Sequence, residues 1–282
     1  MKVFIAGSYN AFTNELIKKF HKENDKVYVL TGEQYHGNKP HNVFEQYTFP
    51  YTGDSIIEVL DSVQPDIILF TGAYDTNFQW KQQEREAVRY SSSLMNILVA
   101  YSMTKRGKFI YLSSEEVYSG SYPAEIREDE PVSAVGFRGM TLAQGEKICE
   151  NYQENWKLDI IILRLDHLYH IPRTSADVDN ICARMCISAM EKGYIIADNQ
   201  NICSLLYESD AVEFIYRVVK CKTHQHVLYH LTSDRRFREV TLARLVAEYM
   251  GGNVSVVENE EQGGRRTVSY THLRAHETRH DL

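Results

Sequence analysis

The chain has 282 residues, enough for one large domain or a domain with an added lobe. Its 43% hydrophobic and 24% charged residues are those of an ordinary folded domain, and a net charge of −7 argues against a non-specific nucleic-acid binder. No apolar run nears the roughly eighteen residues that span a bilayer, the opening Met-Lys-Val-Phe-Ile-Ala-Gly lacks the longer segment of a secretory leader, and five cysteines are an odd number, so the chain reads as cytoplasmic, without a disulfide framework or membrane partner.

In chain order, Val3–Ala6, Val27–Leu30, Ile67–Phe70, Phe109–Leu112 and Ile160–Leu163 are nearly continuous apolar runs, the pattern of strands buried on both faces. Between them Phe12–Lys22, Ser55–Val63, Glu84–Met103 and Thr141–Asn155 carry apolar residues at helical spacing, such as Leu16, Ile17 and Phe20. Strand and helix in alternation predict a parallel sheet with right-handed crossovers. After Arg164 the rhythm loosens. Helices are expected at Ala176–Lys192, Ser209–Val219 and Leu242–Met250, and short strands near Tyr194–Ile196, Val227–Leu231 and Val254–Val257. This divides the chain into a main domain over 1–165 and a smaller lobe over 166–268, interleaved with late elements of the first and placed where α/β proteins often hold substrate.

Residues 269–282 fit nothing before them and read as a non-native tail. Val-Ser-Tyr-Thr-His-Leu-Arg-Ala-His-Glu-Thr resembles a translated sequencing-adapter read. It contains His276-Glu277-Thr278-Arg279-His280, the spacing that puts two zinc ligands on one helical face. Only Asp281 and Leu282 follow, so no third ligand exists downstream. Cys182 and Cys186 stand one helical turn apart with no second ligand pair, and are read as structural thiols. No metal site is assigned.

The first strand runs into Gly7-Ser8-Tyr9-Asn10-Ala11-Phe12-Thr13 and then a helix. A dinucleotide-binding turn of this kind uses three glycines, for the bend, the pyrophosphate and helix packing. Here Gly7 holds the first place, Asn10 the second, as a residue tolerant of left-handed geometry, and Thr13 the third, where it would crowd the helix. Gly7, Ser8, Asn10 and Ala11 are the expected pyrophosphate contacts, since a helix N-terminus offers amides whatever its side chains. The second strand ends in Thr31-Gly32, with neither an acid for a ribose nor an arginine for a 2′-phosphate, so NAD and NADP stay open. A bare turn that is scaffold only is the alternative.

Several segments in order resemble the NAD-dependent epimerase/dehydratase family of extended short-chain dehydrogenases/reductases, from Lys2 to about Val268. Pro65-Asp66-Ile67-Ile68-Leu69-Phe70-Thr71-Gly72-Ala73 is similar to its fourth strand, with Thr71, Gly72 and Ala73 beside the cofactor, as Thr31 would be. Ser93-Leu94-Met95-Asn96-Ile97-Leu98 resembles Gly-Thr-x-Asn-Leu-Leu, and Phe109 to Tyr118, Phe-Ile-Tyr-Leu-Ser-Ser-Glu-Glu-Val-Tyr, the active-site strand. Ile162 to Tyr169, Leu205 to Ala211 and Leu228 to Leu231 resemble later family segments. The resemblance implies an α/β fold, a Rossmann-type doubly wound parallel sheet with a smaller C-terminal α/β substrate lobe. It also implies NAD or NADP as cofactor, a nucleotide-sugar or other small molecule as ligand, and a homodimer through the helices at 84–103 and 141–155.

Within that resemblance Ser114 falls at the catalytic Ser/Thr that hydrogen-bonds the sugar, and Glu115 and Glu116 where 4,6-dehydratases read an acidic pair. A solvated Glu-Glu at a strand end is the plainer alternative. The family's Tyr-x-x-x-Lys is missing: residues 136–143 read Gly-Phe-Arg-Gly-Met-Thr-Leu-Ala. Anchored on Gly145-Glu146-Lys147, Arg138 replaces tyrosine and Leu142 lysine; counted from Pro131-Val132-Ser133, Phe137 and Thr141 do. Arg138 stays protonated and cannot be the base; it suits a diphosphate, or else it is a surface arginine at a helix end. Tyr118 and Tyr169 are candidate substitutes, and His167 and His170 rim the expected cleft. Three readings follow: an enzyme with rearranged catalytic residues, a non-catalytic nucleotide or nucleotide-sugar binder, and an empty scaffold.

Overall fold

The computed structural model describes residues 1–32, 39–80, 83–118, 126–172, 180–199, 201–233, 236–251 and 253–259. The segment 269–282, with its His276-Glu277 motif, lies outside them, as do positions 176–179 of the helix expected from Ala176.

The apolar runs become strands β1 (Lys2–Ala6), β2 (Lys26–Leu30), β3 (Glu45–Tyr47), β4 (Ile67–Phe70), β5 (Lys108–Ser114) and β6 (Ile160–Leu165). The helical stripes become α1 (Ala11–Lys22), α2 (Ser55–Val63), α3 (Gln83–Thr104) and α4 (Phe137–Trp156). Beyond Arg164 follow β7 (His167–Tyr169), α5 (Ile181–Lys192), β8 (Tyr194–Asp198), β9 (Ile202–Tyr207) and α6 (Glu208–Lys220). The last elements are β10 (Leu228–Leu231), β11 (Arg236–Arg238), α7 (Glu239–Tyr249) and β12 (Ser255–Asn259). One seven-stranded sheet has the order β10-β6-β5-β4-β1-β2-β3. Its β1–β2, β1–β4, β2–β3 and β4–β5 pairs are parallel, Val3 facing Val27 on one side and Ile67 on the other. This is the Rossmann-type doubly wound sheet, and its strand order reverses between β1 and β4, where open α/β sheets place ligands.

The chain divides into two compact units. The first holds Met1–Val117, Ala134–Arg164 and Val212–Tyr229, and the second the described residues of 118–133, 165–211 and 230–259. The second contains a three-stranded sheet, β11-β9-β7, and a two-stranded one, β12-β8. Met185, Ala189, Ile195, Leu205, Val240 and Ala243 pack into its own core.

Local chemistry explains the elements that carry the first unit. Asn10 caps α1 by accepting from Thr13 N at 2.8 Å in extended geometry, φ −127° and ψ −178°, not in the left-handed geometry expected of it. Thr13 is wholly buried under that cap, its hydroxyl without a partner, so the third glycine position is filled by a side chain and the helix still docks. Gly7 is required for close approach: a Cβ there would fall inside the Thr71 side chain. On the other side Gly145 lets α4 sit on β5, because a Cβ would run into Tyr111 Oη.

The α4–β5–β6 layer is locked by a buried ion pair. Arg164 Nε donates to Glu146 Oε1 at 2.9 Å and its Nη2 to Oε2 at 2.6 Å, while Ser113 Oγ donates to Oε1 at 2.6 Å. Replacing Glu146 by alanine strips a buried guanidinium of its bidentate partner and is expected to cost about 3–5 kcal/mol in urea unfolding. A loss below about 1 kcal/mol would show that the pair does not hold this layer.

Candidate functional site

The site is built in the first unit, at the C-terminal ends of β1, β2, β4 and β5. Short 3₁₀ turns follow two of these strands, Gly72–Tyr74 after β4 and Glu115–Tyr118 after β5. They bring together residues that are far apart in sequence.

At the β1–β2–β4 end the chain fills the crevice with its own polar groups. Asp75, buried, accepts from Ser8 N at 3.1 Å, Asn77 N at 2.9 Å and the Tyr51 hydroxyl at 2.7 Å. Asn77 Nδ2 donates to Thr31 O and to Tyr51 Oη, both at 2.8 Å. Ser8 Oγ accepts from Thr76 N at 2.9 Å and Thr76 Oγ1 at 2.8 Å. So Ser8 and Thr31 are tied into a web with the turn after β4. Thr71 Oγ1 donates back to Ala6 O at 3.3 Å, under Gly7. Ala11 opens α1; with Thr13 N taken by Asn10, the amides of Ala11 and Phe12 are the first-turn donors without an intrahelical acceptor.

At the β5 end Ser114 is buried and its Oγ accepts from Glu116 N at 3.3 Å. Glu115 is buried and Glu116 partly buried, so the pair is not the solvated Glu-Glu of the plainer alternative. Arg138 forms an ion pair with Glu116 and donates from Nη2 to Ala73 O at 2.7 Å. Its side chain is half-buried at the start of α4, held by these two contacts. Leu142, one turn after Arg138, is fully buried. Tyr74, which ends the turn after β4, packs edge-on to Phe12 with ring centroids 5.3 Å apart and accepts at its backbone oxygen from Asn10 Nδ2 at 2.6 Å.

The two tyrosines named as substitutes are engaged within the second unit. Tyr118 Oη lies 3.0 Å from His230 Nε2, and the Tyr169 ring packs on Tyr207 with centroids 5.1 Å apart. His170 Nδ1 stands 3.3 Å from the buried Glu208 carboxylate, whereas His167 is exposed. Among the described residues no group of three or more His, Cys, Asp or Glu is arranged to hold a metal ion, and no helix is long and apolar enough to cross a membrane.

A family model described as RmlD substrate binding domain matches residues 1–268. The chain belongs to that family. Human dTDP-D-glucose 4,6-dehydratase is 27% identical over 140 residues, which are 49% of this chain and 39% of the human protein. The bovine protein of the same name is 34% identical over 62 residues, 22% of this chain and 18% of its own length. The match therefore spans well under half of these curated relatives. Among solved structures, UDP-glucose 4-epimerase of Thermotoga maritima with UDP-glucose superposes with a TM-score of 0.79 at 16% identity, covering 95% of this chain and 89% of that one. The dTDP-4-dehydrorhamnose reductase of Bacillus anthracis in complex with NADP gives 0.72 at 18%, over 96% and 90%. The dTDP-glucose 4,6-dehydratase of the same organism with NAD gives 0.77 at 14%, over 96% and 88%. At these identities the structures establish the shared fold.

Burial is the main cause that pushes the Asp75 carboxyl up from its ordinary value, against the hydrogen bonds from Asn77, Tyr51 and Ser8. Folding then favours the protonated form. The stabilisation is fully present below the unfolded value of about 3.9 and is lost as pH rises through the higher folded value. Wild-type Tm is expected to contain a component that falls over that window and that Asp75→Asn lacks. Identical pH profiles for the two proteins would contradict it.

Proposed function

We propose that this chain is an NAD(P)-binding, nucleotide-sugar epimerase/dehydratase-like protein in which the family's tyrosine-dependent path on α4 is lost or reduced. The observation that carries this is Arg138 at the tyrosine position, turned inward to Glu116 and Ala73, with the buried Leu142 four residues on. Residues 1–165 act as the dinucleotide domain and 166–268 as the sugar lobe. The protein is cytoplasmic in this reading.

The donor set suits a dinucleotide at its pyrophosphate. Gly7 lets β1 turn against Thr71, and the first-turn amides of Ala11 and Phe12 at the α1 N-terminus suit an anion. Asn10, Thr31, Thr71, Gly72 and Ala73 line the same strand ends. The fit is weaker than in a full glycine motif, because Asp75 already takes the Ser8 amide and Thr31-Gly32 offers no ribose carboxylate. When bound, the cofactor supplies hydride transfer. The chain's own share is to hold the sugar: Ser114 to hydrogen-bond it, Glu115 and Glu116 to handle protons, and Arg138 to fix Glu116 and face anionic groups.

The alternative is a non-catalytic binder of a nucleotide or nucleotide-sugar, favoured by the same loss of the α4 tyrosine and lysine. A homodimer is supported by exposed apolar residues on α3 (Val88, Met95, Val99, Met103) and by Met140 on α4.

Titration of the purified protein with NADH and NADPH by fluorescence and calorimetry is expected to give saturable binding with Kd below about 1 mM, roughly −4 kcal/mol. No binding at that level would remove the cofactor from the account. Sedimentation of the same preparation at twice the 32.7 kDa chain mass is expected, and the single-chain mass would remove the homodimer.

A further inference from the structure

One short segment after β4, Asp75 to Phe78, reaches both strand ends that a dinucleotide needs, all within the first unit. At the end of β1 the Asp75 carboxyl group accepts from Ser8 N at 3.1 Å, so that amide is engaged before any phosphate arrives. At the end of β2, Asn77 Nδ2 donates to Thr31 O at 2.8 Å. The next residue, Gly32, has φ +74°, and a Cβ there would stand 3.1 Å from Asn77 Nδ2 and 3.4 Å from Tyr51 Cζ. An amide and a phenol ring therefore lie against the strand end where folds of this kind read a ribose. The parts also hold one another. The Tyr51 hydroxyl donates to Asp75 at 2.7 Å and accepts from Asn77 Nδ2 at 2.8 Å, and Asn77 N donates to Asp75 at 2.9 Å. From α3, Arg89 donates to Asn77 O and sets its guanidinium 5.1 Å from the Phe78 ring centroid, while Asn96 Nδ2 donates to Tyr51 O at 2.8 Å. Ser8, Tyr51, Asp75 and Asn77 are all buried.

We infer that the Asp75–Tyr51–Asn77 web is an autoinhibitory contact, an internal ligand of the cofactor crevice that a dinucleotide must displace from Ser8 N. The inference rests on the cofactor reading proposed above and deepens it by naming what regulates that site. Asp75 presents an acceptor oxygen to the β1 turn in the place of a phosphate oxygen. The Ser8 amide has one hydrogen, so Asp75 and an entering phosphate compete for it. Opening the web separates one carboxyl group from three donors, Ser8 N, Asn77 N and the Tyr51 hydroxyl, and such bonds are stronger still to an ionised acceptor. An ionised Asp75 also repels the incoming diphosphate, so charge and occupancy act in the same direction. The apparent affinity for a dinucleotide is then lower than the intrinsic one by the fraction of molecules whose web is open. A substitution that removes the internal ligand lifts that reduction without adding a contact to the cofactor.

The test is calorimetric titration of wild type, Asp75→Ala and Tyr51→Phe with NADH, NADPH and ADP. In Asp75→Ala the Kd for NADH and for ADP is expected to fall about 10–100-fold, the equivalent of one charge-assisted hydrogen bond no longer broken on binding. Tyr51→Phe keeps the ring over Gly32 and removes one of the three donors to Asp75. It is expected to gain about 3–10-fold, and it carries the test alone if Asp75→Ala does not fold. A readout free of cofactor is hydrogen exchange at the Ser8 amide of the free protein, expected to be at least about tenfold faster in Asp75→Ala than in wild type. Three results overturn the inference while leaving the proposed function standing: NADH and ADP binding within about twofold of wild type in both variants, weaker binding in both, which would make the web part of the cofactor's own site, or Ser8 exchange alike in wild type and Asp75→Ala. Failure of wild type and both variants to bind NADH or NADPH up to about 10 mM overturns the inference and the cofactor reading together.

Discussion

The buried Glu146–Arg164 pair, joined by Ser113, is the contact on which the site geometry depends. It ties the middle of α4 to β5 and β6 with two charge-assisted hydrogen bonds and a third from a strand hydroxyl. Once Glu146 is fixed, helical geometry fixes what lies one and two turns before it: Leu142 inside the core and Arg138 at the mouth. Arg138 then finds the carbonyl of Ala73 and the carboxylate of Glu116. A side chain that cannot lose its proton thus stands where the family resemblance calls for a proton carrier. The consequence is chemical, since any acid or base must come from another element.

The β1–β2–β4 end of the crevice follows a different logic. Asp75 bridges the β1 turn, the following Asn77 and Tyr51, and Asn77 carries the web to β2 through Thr31 O. A satisfied buried network of this kind holds the strand ends in register without the glycines that would otherwise shape the turn. It also places the buried Asp75 side chain against the Ser8 amide in the β1–α1 turn.

Much of the fold was legible. Buried parallel strands read as apolar runs, and Ser55–Val63 was delimited to the residue because helical spacing and flanking polar residues agree there. The three-residue strands β3, β7 and β11 escaped, since pieces so short carry no period, and the longer β9 escaped with them. Ser114, Glu115 and Glu116 stand out in the sequence through the family resemblance of Phe109 to Tyr118, and they lie where β5 gives way to its 3₁₀ turn. Asn10 was read for left-handed tolerance, but its amide was worth more as a helix cap. For Arg138 the sequence leaves a diphosphate-facing and a surface position both open, because nothing local announces a partner 22 positions away.

The central claim is that Arg138 is held inside the site by Glu116 and is not a free surface charge. A double-mutant cycle on Glu116→Gln and Arg138→Met, read by urea unfolding, tests it most directly. The account predicts a coupling of at least about 1 kcal/mol between the two substitutions. Additivity within about 0.5 kcal/mol would contradict it, and would return Arg138 to the surface.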